Sequence, residues 1–183
     1  MLVSAWGTVT MDFLHTIGMV DTYWPLPTIL MRLVIALIFG AIIGLEREFS
    51  LHSAGLRTHI LVALAAAVYT VLTLEIFHLP EVMSNGRSDP VHAVEAVTAG
   101  IAFLGAGVLF RGGGSRPHGL TTAAGMWLAG AAGMTAALGY YIIGAFVCAL
   151  AIAVLLVLKA VDRRIDHRTP RASPTVGEDT ENP

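Results

Sequence analysis

The chain has 183 residues, a formal net charge of −2 and a charged fraction of 13%, against about 25% in a soluble globular domain. With 55% apolar residues, most of it avoids water, and the charge balance excludes a basic nucleic-acid-binding surface. A single cysteine, Cys148, lies inside an apolar run and cannot form an intrachain disulfide.

In chain order, residues 3–20 mix Ser, Thr, Asp12 and His15 with apolar residues. They read as a short interfacial helix within an N-terminal periplasmic or interfacial segment, 1–27. The first basic residue is Arg32, so a basic leader region is missing and the N-terminus is expected to be retained. A helix crossing about 30 Å of hydrocarbon needs roughly 20 mainly apolar residues. Thr28–Leu45, Thr58–Phe77, Val91–Phe110, Gly119–Leu138 and Tyr141–Val161 all qualify. Each ends at a polar or helix-breaking signal: Glu46-Arg47-Glu48, His78-Leu79-Pro80, Arg111-Gly112-Gly113-Gly114, Gly139, and Asp162-Arg163-Arg164. Backbone polar groups must be satisfied internally in lipid, so these spans are helices. The expected fold class is all-α, a polytopic membrane helical bundle of about five transmembrane helices over 28–161. Residues 162–183 carry Pro170, Pro174 and Pro183 among polar residues and read as a disordered cytoplasmic tail.

Five spans place Arg47, Arg57, Arg111, Arg116, Lys159, Arg163, Arg164, Arg168 and Arg171 on one side. Arg87 falls on the other, and Arg32 lies within the first span. The positive-inside rule makes the Arg-rich side cytoplasmic, with the N-terminus outside and the C-terminus inside. Small residues recur at spacing four: Ala36, Gly40 and Gly44 in the first span, Gly125, Ala129, Gly133 and Ala137 in the fourth. Such stripes let helix backbones approach closely, either within one subunit or in a homo-oligomer.

Four segments carry a family resemblance: "RLVIALIFGAIIGLERE", "AGLRTHILVALAAA", "DPVHAVEAVTAGIAFLGAGVLFR" and "GLTTAAGMWLAGAAG". Together they resemble, in order and spacing, the MgtC/SapB family of bacterial membrane proteins, from about Arg32 to Gly139. The resemblance implies a multi-pass protein of the bacterial cytoplasmic (inner) membrane, linked to magnesium homeostasis, growth at low magnesium and survival in hosts. Virulence-type members carry a cytoplasmic C-terminal ACT-like domain, and the chain reads as a short form without it. At Glu95-Ala96-Val97-Thr98-Ala99-Gly100 a carboxylate stands where the family pattern is neutral or an amide.

The candidate functional residues are Glu46, Arg47, Glu48, Arg57, Thr58, His59, Arg111, Thr121 and Thr122, all of which fall within the quoted motifs. On a continuous helix Glu46 and Glu48 point about 200° apart and cannot chelate one ion together. Glu48 can instead face His52, four residues on. Arg47 either snorkels towards headgroups or belongs to a charge cluster in which Glu46 faces Arg57 or Arg111. Mg²⁺ prefers one or two carboxylates plus retained waters, and the neighbouring arginines oppose a cation. Thr121 and Thr122 read as N-terminal capping residues of the fourth span. His59 and His118 read as surface histidines near the cytoplasmic face.

Within the spans, Arg32 needs a partner, and Glu75 or Glu95 is expected to supply it. His92 and Glu95 share a helix face at spacing i, i+3, a weak metal signal. No hydrolytic motif is present, so neither an enzyme nor a cofactor is expected. The favoured reading is a regulatory protein binding other membrane proteins in the lipid bilayer. The alternative is a small transporter or channel for Mg²⁺ or another ion.

Overall fold

A computed structural model describes residues 22–49, 54–85, 89, 91–110 and 119–166. They form helices α1 (Leu26–Phe49), α2 (Leu56–Phe77), the short α3 (Pro80–Asn85), α4 (Val91–Phe110), α5 (Leu120–Ala137) and α6 (Tyr141–Asp166). No strand occurs among the described residues, as the all-α reading requires. Four helices are long and apolar enough to cross a membrane: α1, α2, α4 and the Tyr141–Lys159 part of α6. The 1–21 segment and the 167–183 tail lie outside the described residues.

The expected fourth span, α5, is the exception, and its place in the bundle explains why. It packs against α1, α2, α4 and α6, so protein rather than lipid covers most of its surface. A helix in that position needs small residues for close packing more than hydropathy. Its buried side comprises Gly125, Met126, Ala129, Gly130, Ala132, Gly133, Ala136 and Ala137 with Thr122. At 1.5 Å per residue its length is roughly 27 Å, still close to the thickness of the hydrocarbon.

Both small-residue stripes face α2. A Cβ at Gly40 would lie 2.7 Å from the His59 carbonyl oxygen and 2.8 Å from Ala63 Cβ. One at Gly133 would run into the Ala63 backbone. Helix α2 thus runs between α1 and α5 with backbone contact on either side, and these stripes do their packing within the chain. The contacts also fix direction. Gly44 meets His59 and Gly40 meets Ala63, whereas Gly125 meets His59 and Gly133 meets Ala63. Helix α2 is therefore antiparallel to α1 and parallel to α5.

The sequence also sets the helix ends. Helix α5 stops in a Schellman motif: Gly139 adopts φ +85°, its N–H donates to the Ala136 carbonyl at 3.1 Å, and the Tyr140 N–H donates to Thr135 at 2.8 Å. Helix α1 continues through Glu46-Arg47-Glu48 to Phe49, so the three charged residues are helical. The buried face of α1 comprises Ile29, Arg32, Ala36, Phe39, Gly40, Ile43, Gly44 and Arg47, a helical stripe with an arginine near each end.

Candidate functional site

Arg47 occupies the inner face of α1 because it lies three residues beyond Gly44, and Gly44 marks the side facing α2. Only 2% of Arg47 is exposed, so the snorkelling alternative is not what forms. Its Nη2 donates to the Thr121 hydroxyl at 3.0 Å and to the Thr122 hydroxyl at 3.3 Å. Nη1 lies 3.8 Å from the Glu46 carboxylate.

The two threonines are therefore acceptors for an arginine and do not cap their helix. Gly119, at φ 93° with no side-chain cap bond, holds the N-cap position of α5. Thr121 and Thr122 lie two and three residues beyond the cap position, and their hydroxyls accept from Arg47 of α1.

His59 is fully buried, not a surface residue. Its ring fits between Gly44 and Gly125, where side chains would leave no room: added Cβ atoms would come within 3.0 Å of His59 Cβ and 2.9 Å of Nε2. Nδ1 lies 2.8 Å from the Gly55 carbonyl, which assigns the proton to Nδ1. Among the described residues, neither His59 Nε2 nor Arg47 Nε makes a hydrogen bond.

Electrostatically, the N-terminus of a helix carries partial positive charge. Arg47 adds a buried cation there, and Glu46 supplies the opposing carboxylate. One carboxylate facing a guanidinium and a positive helix end is a poor cradle for a hydrated divalent cation. The same arrangement suits a charge-paired switch or an anion.

The remaining candidates spread out. Glu48 is exposed and turns away from Glu46, and its Oε2 accepts the Leu56 N–H at 2.9 Å. It thereby serves one of the unsatisfied donors at the start of α2; the expected partner His52 lies outside the described residues. Replacing Glu48 with alanine is expected to cost about 0.5 kcal/mol, read as a small drop in the Tm of detergent-solubilised protein, with Glu48→Gln losing less. Arg57 is exposed and Thr58 half-buried. Neither joins Arg47, and among the described residues Glu46 meets Arg47 rather than Arg57. Arg111 and His118 lie outside the described residues.

The expected Arg32 ion pair does not form with Glu75 or with Glu95. Arg32 donates through Nη1 to the Ala137 carbonyl at 2.8 Å, at the negative end of α5. Glu75 accepts the backbone N–H groups of Tyr23 and Trp24 at 2.7 and 3.3 Å. Glu95 is exposed beside His92, with 3.0 Å between Oε2 and Nδ1. Helix geometry explains the difference: α4 turns this part of its surface outwards, and the residues before α1 reach Glu75 first. Among the described residues, no three His, Cys, Asp or Glu side chains converge to hold a metal. The contact of Trp24 with Arg32 had no sequence signal, because Trp24 lies before the first helix.

Comparison with known proteins matches residues 33–164 to the MgtC family model. A Haemophilus influenzae protein described as uncharacterized is 33% identical over 138 residues, covering 75% of this chain and 58% of its own length. Protein SapB of Bacillus subtilis is 34% identical over 116 residues, 63% of this chain and 50% of its own. Protein MgtC of Brucella abortus is 33% identical over 136 residues, 74% of this chain and 53% of its own. The chain thus spans about half the length of the curated relatives it matches. No solved structure matches it. The match over most of the chain, with the four quoted motifs inside or overlapping its limits, shows that this is a multi-pass membrane protein belonging to the MgtC family.

Proposed function

We propose that this protein regulates magnesium homeostasis by binding other membrane proteins, without catalysing a reaction or carrying an ion itself. The magnesium link comes from relatives named MgtC. The observation that carries the regulatory reading is the dry centre of the bundle. Between Arg47 at one end and Arg32 at the other, the α1–α2–α5 interface is filled by Ala36, Phe39, Ile43, Ala63, Ala67 and Ala129, all buried. Thr70, also buried, returns its hydroxyl to the Ala66 carbonyl of its own helix at 2.7 Å.

Helix α4 supplies a face for a partner. Ala96, Ala99, Gly100 and Gly107 are exposed, and nothing lies within 4 Å of a Cβ built at Gly100 or Gly107. A second copy of the chain would have to use such a face, since the stripes on α1 and α5 are buried against α2. The excess of Lys and Arg on one side supports an N-terminus outside, the family supports the bacterial cytoplasmic membrane, and survival in hosts would follow from growth at low magnesium.

The test pairs flux with growth. Purified protein in liposomes, beside Glu46→Ala, is expected to admit no more Mg²⁺ than empty liposomes. The same protein is expected to support growth of a deletion strain at low magnesium and to crosslink to a membrane protein there. Flux from folded protein that Glu46→Ala abolishes would instead establish the transporter.

A further inference from the structure

The end of the bundle opposite Arg47 holds a second buried guanidinium. Arg32 is 7% exposed, and its guanidinium carbon sits 4.2 Å from the centroid of the Trp24 ring. Nη1 is engaged with Ala137. Arg32 Nε and Trp24 Nε1 are shut off from solvent and make no hydrogen bond among the described residues. Both side chains are donors only, so what both atoms lack is an acceptor. Nε and Nη2 form the edge of a guanidinium that grips a carboxylate or phosphate with two parallel hydrogen bonds. Here Nη2 faces the Gly139 turn, 3.4 Å from the position of an added Cβ.

We propose that Arg32 and Trp24 form an oxyanion site, taking the phosphate of a lipid headgroup or free phosphate. The Arg32 Nε–Nη2 edge supplies the charge and the fork, and the indole N–H adds a third donor. The site is held in shape from two sides. Glu75 fixes the segment before α1 through the N–H groups of Tyr23 and Trp24, and Tyr23 stacks on His78 with 3.6 Å between centroids. These bonds direct the Glu75 carboxylate to the backbone of Tyr23 and Trp24. Across the site, the Gly139 turn brings no side chain against the fork. Tyr23 and Tyr140 are exposed at this end, and aromatic residues of this kind mark headgroup depth.

The test uses the full chain in detergent, stripped of lipid, titrated calorimetrically with inorganic phosphate and, separately, with short-chain phosphatidylglycerol. Trp24→Phe keeps the stack and deletes the N–H; Arg32→Lys keeps the charge and deletes the fork. Saturable binding is expected, weakened roughly tenfold by either variant, the equivalent of one lost charge-assisted hydrogen bond. Weakening seen with phosphatidylglycerol alone identifies a lipid site, and weakening with phosphate as well identifies a free-oxyanion site. Circular dichroism checks folding, and Trp24→Phe carries the test if Arg32→Lys does not fold. Absence of saturable binding to both ligands, or unchanged affinity in folded Trp24→Phe, overturns the proposal.

Discussion

Replacing Gly133 with alanine is expected to prevent this protein from folding, or to destabilise it by about 3 kcal/mol or more. The added methyl would overlap the carbonyl and Cα of Ala63, and backbone cannot swing aside as a flexible side chain can. The helices would have to separate along the seam that joins α2 to α5. Gly107→Ala is the matched control. Nothing lies within 4 Å of its added Cβ, so only helix propensity changes, by about 1 kcal/mol in favour of alanine. Thermal unfolding in detergent, followed by circular dichroism and size exclusion, separates the two. A Gly133→Ala protein as stable as Gly107→Ala would mean that α2 and α5 do not approach as described.

The second large effect concerns Arg47. Truncation to alanine leaves the Thr122 hydroxyl buried, removes the guanidinium beside Glu46 and opens a cavity, and is expected to cost about 3–5 kcal/mol, as when one member of a buried charged pair is lost. Arg47→Met fills the same space but still removes the buried cation beside Glu46, so it spares only the cavity cost and is expected to destabilise less than Arg47→Ala. If the Arg47–Thr121–Thr122 cluster serves the regulatory role, Arg47→Met nevertheless fails to restore growth at low magnesium. Normal growth supported by this variant would reduce Arg47 to a packing residue. Thr122→Val, which is similar in shape but cannot accept the hydrogen bond, is expected to fall between Arg47→Met and the unaltered protein in both assays.

The local pattern of the chain made most of the fold legible. Apolar length located the spans, and Gly139 marked the end of α5. The spacing of Gly40, Gly44, Gly125 and Gly133 announced close helix approach. The short α3 was missed, since six residues between Pro80 and Asn85 carry no usable periodicity. The candidate site was legible as a set of residues and not as an arrangement. The motifs single out Arg47, Thr121 and Thr122, yet spacing alone reads the threonines as caps and leaves Arg47 two places to go. Glu48 reads towards His52 and His59 reads as a surface residue, whereas Glu48 holds the Leu56 N–H and His59 is buried.

What the sequence by itself determined is therefore local in origin. Hydrophobic length, charge asymmetry and motif order depend on neighbouring residues, and they settle membrane class, helix positions and family. The tertiary structure decided where the long polar side chains go. Arg47 meets residues 74 and 75 positions away, and Arg32 meets a carbonyl 105 positions away. A flexible arginine near a helix end can reach headgroups or turn inwards at similar cost to its own helix. Only the helix packed opposite, with hydroxyls at one end and an open carbonyl at the other, makes the inward rotamer the stable one.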